Sequence, residues 1–228
     1  MKVTWLTQAG LLLKTRNLTI MVDPYLSDSL GEKDEAKRRR IPVCEQFLSL
    51  RPDVLLITHE HEDHLNCETL SKILDTDKPI TVLAPKNAYF KLREYAGPHN
   101  YVMLNPHSVW TEGDVTFYSV HAEHSDPTAV GFIIDDQNGT YYISGDTLYN
   151  YDVIDDVLDL VEDGVDCAFL PINGLGNNMN AHDAADLAYE IEAKHAIPLH
   201  YGLFDEISPE SFDFEDKIIL EAYKEIDI

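Results

Sequence analysis

The feature that most limits what this chain can become is an apolar strand running straight into a burst of polar side chains. "DVLLI" at residues 53–57 is followed at once by "THEHEDHL" at 58–65. A continuous apolar run of that length reads as a strand buried on both faces, and so as the inside of a sheet covered by other layers. The next eight residues hold three histidines, two glutamates and an aspartate, none of which tolerates burial without a partner. In extended chain, residues i and i+2 point to one side, so His59 and His61 can grip a single ion. Asp63 and His64 are neighbours, and the chain must turn there to aim both inward, at a second ion. Polar groups at the C-terminal tip of a buried strand sit where open α/β sheets bind ligands. The H-x-H-x-D-H order therefore points to a metal site.

Around this motif the texture changes twice. "KVTWL", "GLLLKT" and "LTIMVD" read as three antiparallel strands, followed by a polar loop from Asp23 to about Pro42. Strand, loop and helix then alternate through "DVLLI", "CETLSKIL", "PITVLA" and "PKNAYFKLREYA". An all-β stretch comes next ("YVML", "SVWTEG", "VTFYSV", "AVGFIID", "TYYIS"), and "YDVIDDVLDLV", "DCAFLP", "AHDAADLAYEIEAK" and "AIPLH" return to alternation. Asn180 is the expected N-cap of the last long helix, with Asp183 at its third position. Both halves run from antiparallel strands into helix–strand alternation. Two face-to-face sheets with helices outside each satisfy that order, an αβ/βα four-layer sandwich of the α/β class. Without a Pro/Gly/Ser-rich linker, residues 1–228 are expected to form one domain.

Other strand ends repeat the pattern of the first motif. "VHAEHSD" offers His121 and His124, "YYISGDT" offers Asp146 after a turn eased by Gly145, and "AIPLHYG" offers His200. Each is a polar residue closing an apolar run, and together they could complete two metal positions.

H-x-H-x-D-H, a distant His, then G-D and a strand-end His resemble the metallo-β-lactamase superfamily. The resemblance implies one metal held by His59, His61 and a third His, a second held by Asp63, His64 and His200, and Asp146 bridging the two. His124 is preferred over His121 as the third His, because related sequences place it in a small-x-His-Ser context like "AEHS". "WLTQAGLLLK", "IMVDPYLSD", "LPINGLGNNMNAHDAADLA" and "IPLHYGLF" are similar to L-ascorbate-6-phosphate lactonases and related metal-dependent hydrolases. That implies an α/β hydrolase of small, anionic esters or lactones, with Asp63 catalytic, orienting the nucleophile and accepting its proton. It also implies that Asp23, in "VDPY", orients a metal ligand. The loop before the metal strand is shorter here than in those lactonases, so substrate contacts are read from this chain alone. Asn173, Asn177, Asn178 and Tyr201 are candidates to donate to developing negative charge. Arg39, within "KRRR" at residues 37–40, is a candidate to hold an anionic substrate. Imidazole with carboxylate suits two divalent metal ions, zinc first, with manganese or iron as alternatives.

Composition narrows the partners. A net charge of −24 repels phosphate backbones, which argues against nucleic acid or an anionic membrane and for a small-molecule substrate. A phosphodiesterase or nuclease of the same fold is the alternative. Three cysteines without paired spacing read as free thiols in a reducing compartment. With no signal-like N-terminus and no long apolar segment, the chain is expected to be cytoplasmic, and a homo-oligomer is compatible with it.

Overall fold

The computed structural model describes residues 1–161 and 163–228. The chain divides into two compact units, residues 1–103, 202–206 and 221–228 in the first, 104–201 and 207–220 in the second.

The first unit opens with β1 (Lys2–Trp5), β2 (Leu11–Lys14) and β3 (Thr19–Val22), an antiparallel meander in which Trp5 faces Leu11 and Leu11 faces Val22. After the short helix α1 (Ser29–Lys33) come β4 (Val54–Leu56), α2 (Cys67–Ile73), β5 (Thr81–Ala84), α3 (Lys86–Leu92) and β6 (Asn100–Met103). From β3 to β6 every pairing is parallel. Parallel neighbours need long crossovers, and the two after β4 and β5 carry α2 and α3. Val54, Leu55 and Leu56 are wholly buried, as a central parallel strand requires. Leu55 shares a core with Met21, Leu70, Ile73, Val82 and Leu92, each burial contributing about 1.5–3 kcal/mol. Asn66 caps α2, accepting from the Thr69 amide.

The second unit repeats the plan. β7 (Val109–Glu112), β8 (Val115–His121), β9 (Val130–Asp135) and β10 (Thr140–Ile143) are antiparallel neighbours. After α4 (Tyr151–Leu158), β11 (Cys167–Pro171) lies parallel to β10, and after α5 (Ala181–Glu190), β12 (His195–Leu199) lies parallel to β11. Asn180 caps α5 through the amides of His182 and Asp183, as expected from the sequence. The chain ends in β13 (Glu225–Asp227), which returns to the first unit and pairs antiparallel with β1.

Among the described residues this gives a seven-stranded and a six-stranded sheet, each antiparallel at one end and parallel at the other, and the α/β class is borne out. Two details differ from the sequence reading. "YVML" belongs to the first sheet, parallel to β5, rather than to the all-β stretch; an apolar run carries no mark of which sheet it joins. The loop after Asp23 contains α1 and a 3₁₀ turn at Glu35–Lys37. Among the described residues no helix is long and apolar enough to cross a membrane.

Candidate metal centre

In the first unit, the chemistry gathers at the C-terminal ends of β3 and β4. Asp23 follows β3 and adopts a left-handed backbone (φ 40°), and its carboxylate is 1% exposed. Oδ1 accepts from the Thr58 amide at 2.8 Å, while Oδ2 accepts from the Thr58 hydroxyl at 2.6 Å and from His64 Nδ1 at 2.8 Å. Because the Thr58 proton goes to Asp23, the same hydroxyl oxygen can accept from His59 Nδ1, 3.0 Å away. A single buried carboxylate thus fixes two imidazoles, one directly and one through Thr58. Both rings are held with the proton on Nδ1, which puts the lone pair on Nε2.

The turn expected at Asp63–His64 is present, with the amides of His64 and Leu65 both donating to the His61 carbonyl at 3.0 and 2.8 Å. It brings the ring of His59 to 4.5 Å from that of His61 and 4.0 Å from that of His64, centroid to centroid. His59 and His64 are fully buried. His59 offers a donor atom within 4.8 Å of one on His61 and of one on His64, and Asp63 does the same with His64. Gln8, in the β1–β2 turn, donates its side-chain amide to Asp63 Oδ2 at 2.9 Å.

In the second unit the candidate groups again follow strand ends. Asp146 lies just past β10, after a left-handed Gly145 (φ 61°), and His200 caps β12 in the left-handed region itself (φ 59°). Both are buried, with His200 Nε2 3.3 Å from Asp146 Oδ2. Asn178 donates its amide to the same Asp146 oxygen at 2.9 Å. His124 lies beyond β8, and its Nδ1 is 3.1 Å from the Asn177 carbonyl, an acceptor that puts the proton on Nδ1 and the lone pair on Nε2. One loop, residues 173–180, therefore steadies both His124 and Asp146. The Gly174 amide donates across it to the Met179 carbonyl, and the Met179 amide ties it to Thr147.

These donors fit divalent cations. Neutral imidazoles whose far nitrogens are anchored, beside carboxylates, form the set that zinc, manganese or iron accept. His121, the other histidine of "VHAEHSD", has Nε2 3.5 Å from Glu123 instead. Tyr201 is buried, and that burial, reinforced by Glu210, pushes its phenol up to about 12. Asn173 forms an antiparallel bridge with Asn180 at the base of the 173–180 loop.

Arg39 is engaged inside the first unit. Its guanidinium donates to the carbonyls of Ile41 and Tyr25, to Thr7 Oγ1 at 2.7 Å and to the Tyr223 hydroxyl at 3.0 Å, and lies over the Tyr25 ring. Arg38 pairs with Asp28 and Glu35, and Arg40 with Glu206. The three arginines of the basic run are engaged with the protein's own acids, carbonyls and hydroxyls. Gln8 and Thr58 escaped the sequence reading: neither is a ligand type, and their partners are set by the fold.

Three comparisons bear on this arrangement. A family model described as a beta-lactamase superfamily domain matches residues 19–201. A protein named metal-dependent hydrolase in Pyrobaculum islandicum is 27% identical over 96% of this chain and 92% of its own. Among solved structures, a metal-dependent hydrolase from Parabacteroides distasonis, described as putative, aligns with a TM-score of 0.70 at 25% identity, over 96% of this chain and 92% of that one. The metallo-beta-lactamase fold protein YhfI of Bacillus subtilis aligns with a TM-score of 0.73 at 17% identity, over 99% and 98%.

Proposed function

The chain belongs to the beta-lactamase superfamily, and on that premise we propose that it holds two divalent cations for hydrolysis of a small, anionic ester or lactone. It is a metal-dependent hydrolase, as its relatives are named. In this reading His59, His61 and His124 would hold one cation and Asp63, His64 and His200 the other, with Asp146 as a further carboxylate ligand.

The observation that carries the reading is the relay from His59 through Thr58 to Asp23, met from the other side by His64. A buried acid spent on setting the tautomer of two adjacent histidines is the arrangement that metal ligation needs. When bound, the cations would supply Lewis-acid polarisation of the scissile group and would acidify water.

The chain's own residues do the rest. Asp63, held by Gln8 on Oδ2, would orient water and receive its proton as general base. The Tyr201 phenol, which burial keeps protonated, and the Asn173 amide are the candidates to donate to negative charge developing on the substrate. The residue 173–180 loop keeps His124 and Asp146 in register through Asn177 and Asn178. With a net charge of −24, substrate reaches this centre as a small molecule rather than along a nucleic acid, and the expected setting is the cytoplasm. Zinc is the first expectation for the cation, manganese or iron the next.

Elemental analysis of the purified protein, followed by a screen of lactones, carboxylic esters and bis-(p-nitrophenyl) phosphate, tests this. Two equivalents of transition metal with turnover of lactones or esters are expected. Turnover of the phosphodiester alone would transfer the reading to a phosphodiesterase, and absence of bound metal would end it.

A further inference from the structure

The β1–β2 turn holds two consecutive non-glycine residues in the left-handed region, Thr7 (φ 76°) and Gln8 (φ 52°). For a β-branched residue such as Thr7 this is an outlier, because its branched Cβ crowds the backbone there. Strain of this kind persists only where surrounding contacts over-determine it, and it collects at sites with a task.

The contacts are present. The Leu6 amide donates to Gly10 and the Gly10 amide to Thr7, both at 2.8 Å, and the Trp5 indole donates to the Gln8 carbonyl at 2.9 Å. Arg39 grips Thr7 Oγ1 from outside. Gly10 completes the fit, since a Cβ there would stand 3.1 Å from the Thr7 carbonyl and 3.3 Å from the Asp23 carbonyl. The turn is thus packed against the backbone of the residue that orients His64. Its product is one buried side-chain amide: Gln8, 2% exposed, 2.9 Å from Asp63 Oδ2.

We propose that Gln8 is a positioning residue for Asp63, fixing which carboxylate oxygen is presented to the centre, and that Arg39 is the clasp that holds the strained turn in place for it. This rests on the metal-centre reading above and assigns a task to the one arginine of the basic run that is tied to the turn. The alternative is a turn that serves only the fold. The two differ in what Gln8→Met changes, because methionine matches the length and volume of glutamine but cannot donate to Asp63.

The test is calorimetric titration of zinc into chelator-stripped protein, paired with thermal unfolding of the stripped protein, for wild type, Gln8→Met and Arg39→Lys. Gln8→Met is expected to lower the affinity of one of two cations by about 10–100-fold, the usual effect of removing a group that orients a ligand, with the unfolding midpoint of stripped protein unchanged. Arg39→Lys keeps the charge but loses the planar fork, and is expected to lower both the midpoint and the affinity. A Gln8→Met protein that binds both cations like wild type overturns the assignment while leaving the metal centre intact. A lowered midpoint with unchanged affinity also overturns it, in favour of a purely structural turn. Wild type that takes up no zinc removes the metal-centre reading itself, and the assignment with it.

Discussion

Replacing Asp23 with asparagine changes one oxygen to an NH₂ group without altering shape, and its consequence can be followed atom by atom. Asp23 accepts three hydrogen bonds: Thr58 N–H on Oδ1, Thr58 O–H and His64 Nδ1–H on Oδ2. If the new amide nitrogen takes the Oδ1 position it faces a backbone N–H, donor against donor, in a site 1% exposed. The tolerable orientation keeps the oxygen on the Thr58 amide and points NH₂ at Thr58 Oγ1 and His64 Nδ1. The hydroxyl can rotate to accept. The imidazole can accept only by moving its proton to Nε2, and that removes the lone pair intended for metal. Hydrogen bonds to a charged group contribute about 1.5–3 kcal/mol each, but here partners are exchanged rather than lost, so a net cost of about 1–3 kcal/mol is expected. For a chain of this size that is roughly 2–12 °C in the unfolding midpoint. Metal affinity should fall by about 10–100-fold at the position that uses His64. Zinc titration and thermal unfolding of Asp23→Asn measure the two effects separately. Wild-type zinc affinity in a folded Asp23→Asn protein would refute the claim that Asp23 sets the His64 tautomer.

Two further outcomes are expected. His124→Ala should lose a cation and nearly all hydrolysis, whereas His121→Ala, whose side chain stands beside Glu123, should keep both within about twofold, a surface change costing within about 0.5 kcal/mol; metal content and turnover of the two variants decide it. Burial pushes both Tyr141 and Tyr201 up to about 12 from the ordinary 10.0, so folding favours their protonated forms. Their contribution to stability is complete below pH 10 and is lost as pH rises through about 12. Denaturant unfolding followed across that window should show stability falling as tyrosinate absorbance appears, and a flat profile would contradict it.

Much of this was legible in the sequence because strand-end chemistry leaves a one-dimensional mark. An apolar run that stops at "THEHEDH", at "GD" or at "LHYG" shows both the strand and the group it delivers, and the order of antiparallel and parallel strands followed from where helices begin to alternate. What was not legible depends on contacts between distant positions. Gln8 meets Asp63 across 55 residues and Asn178 meets Asp146 across 32, and neither pairing has a spacing to read. Strand β13, three residues long, is too short for any alternation to register. Arg39 looked like a charge run open to substrate because composition records charge but not whether the guanidinium is already committed to Thr7, Tyr25 and Tyr223.

The illegible part has a common physical origin. Among the described residues, nine non-glycine residues have positive φ, and Thr7, Gln8, Asp23, Asn177 and His200 are five of them. Glycine is what such a backbone favours most, asparagine and aspartate tolerate it, and Thr7, Gln8 and His200 are none of these. Each exception costs on the order of 1–3 kcal/mol, which glycine would relieve. Glycine at Asp23 would relax the backbone but leave Thr58 and His64 without their acceptor, and at His200 it would remove the imidazole that stands 3.3 Å from Asp146. At these positions the side chain's chemistry prevails over the backbone's preference, and a sequence rule built on preference fails there for that reason. The same logic makes glycine scanning informative: Asp23→Gly should recover part of the backbone strain yet lose more in buried, unaccepted donors, giving a net loss of stability. If the variant were instead more stable than wild type with metal affinity intact, the left-handed backbone at Asp23 would have no link to the centre.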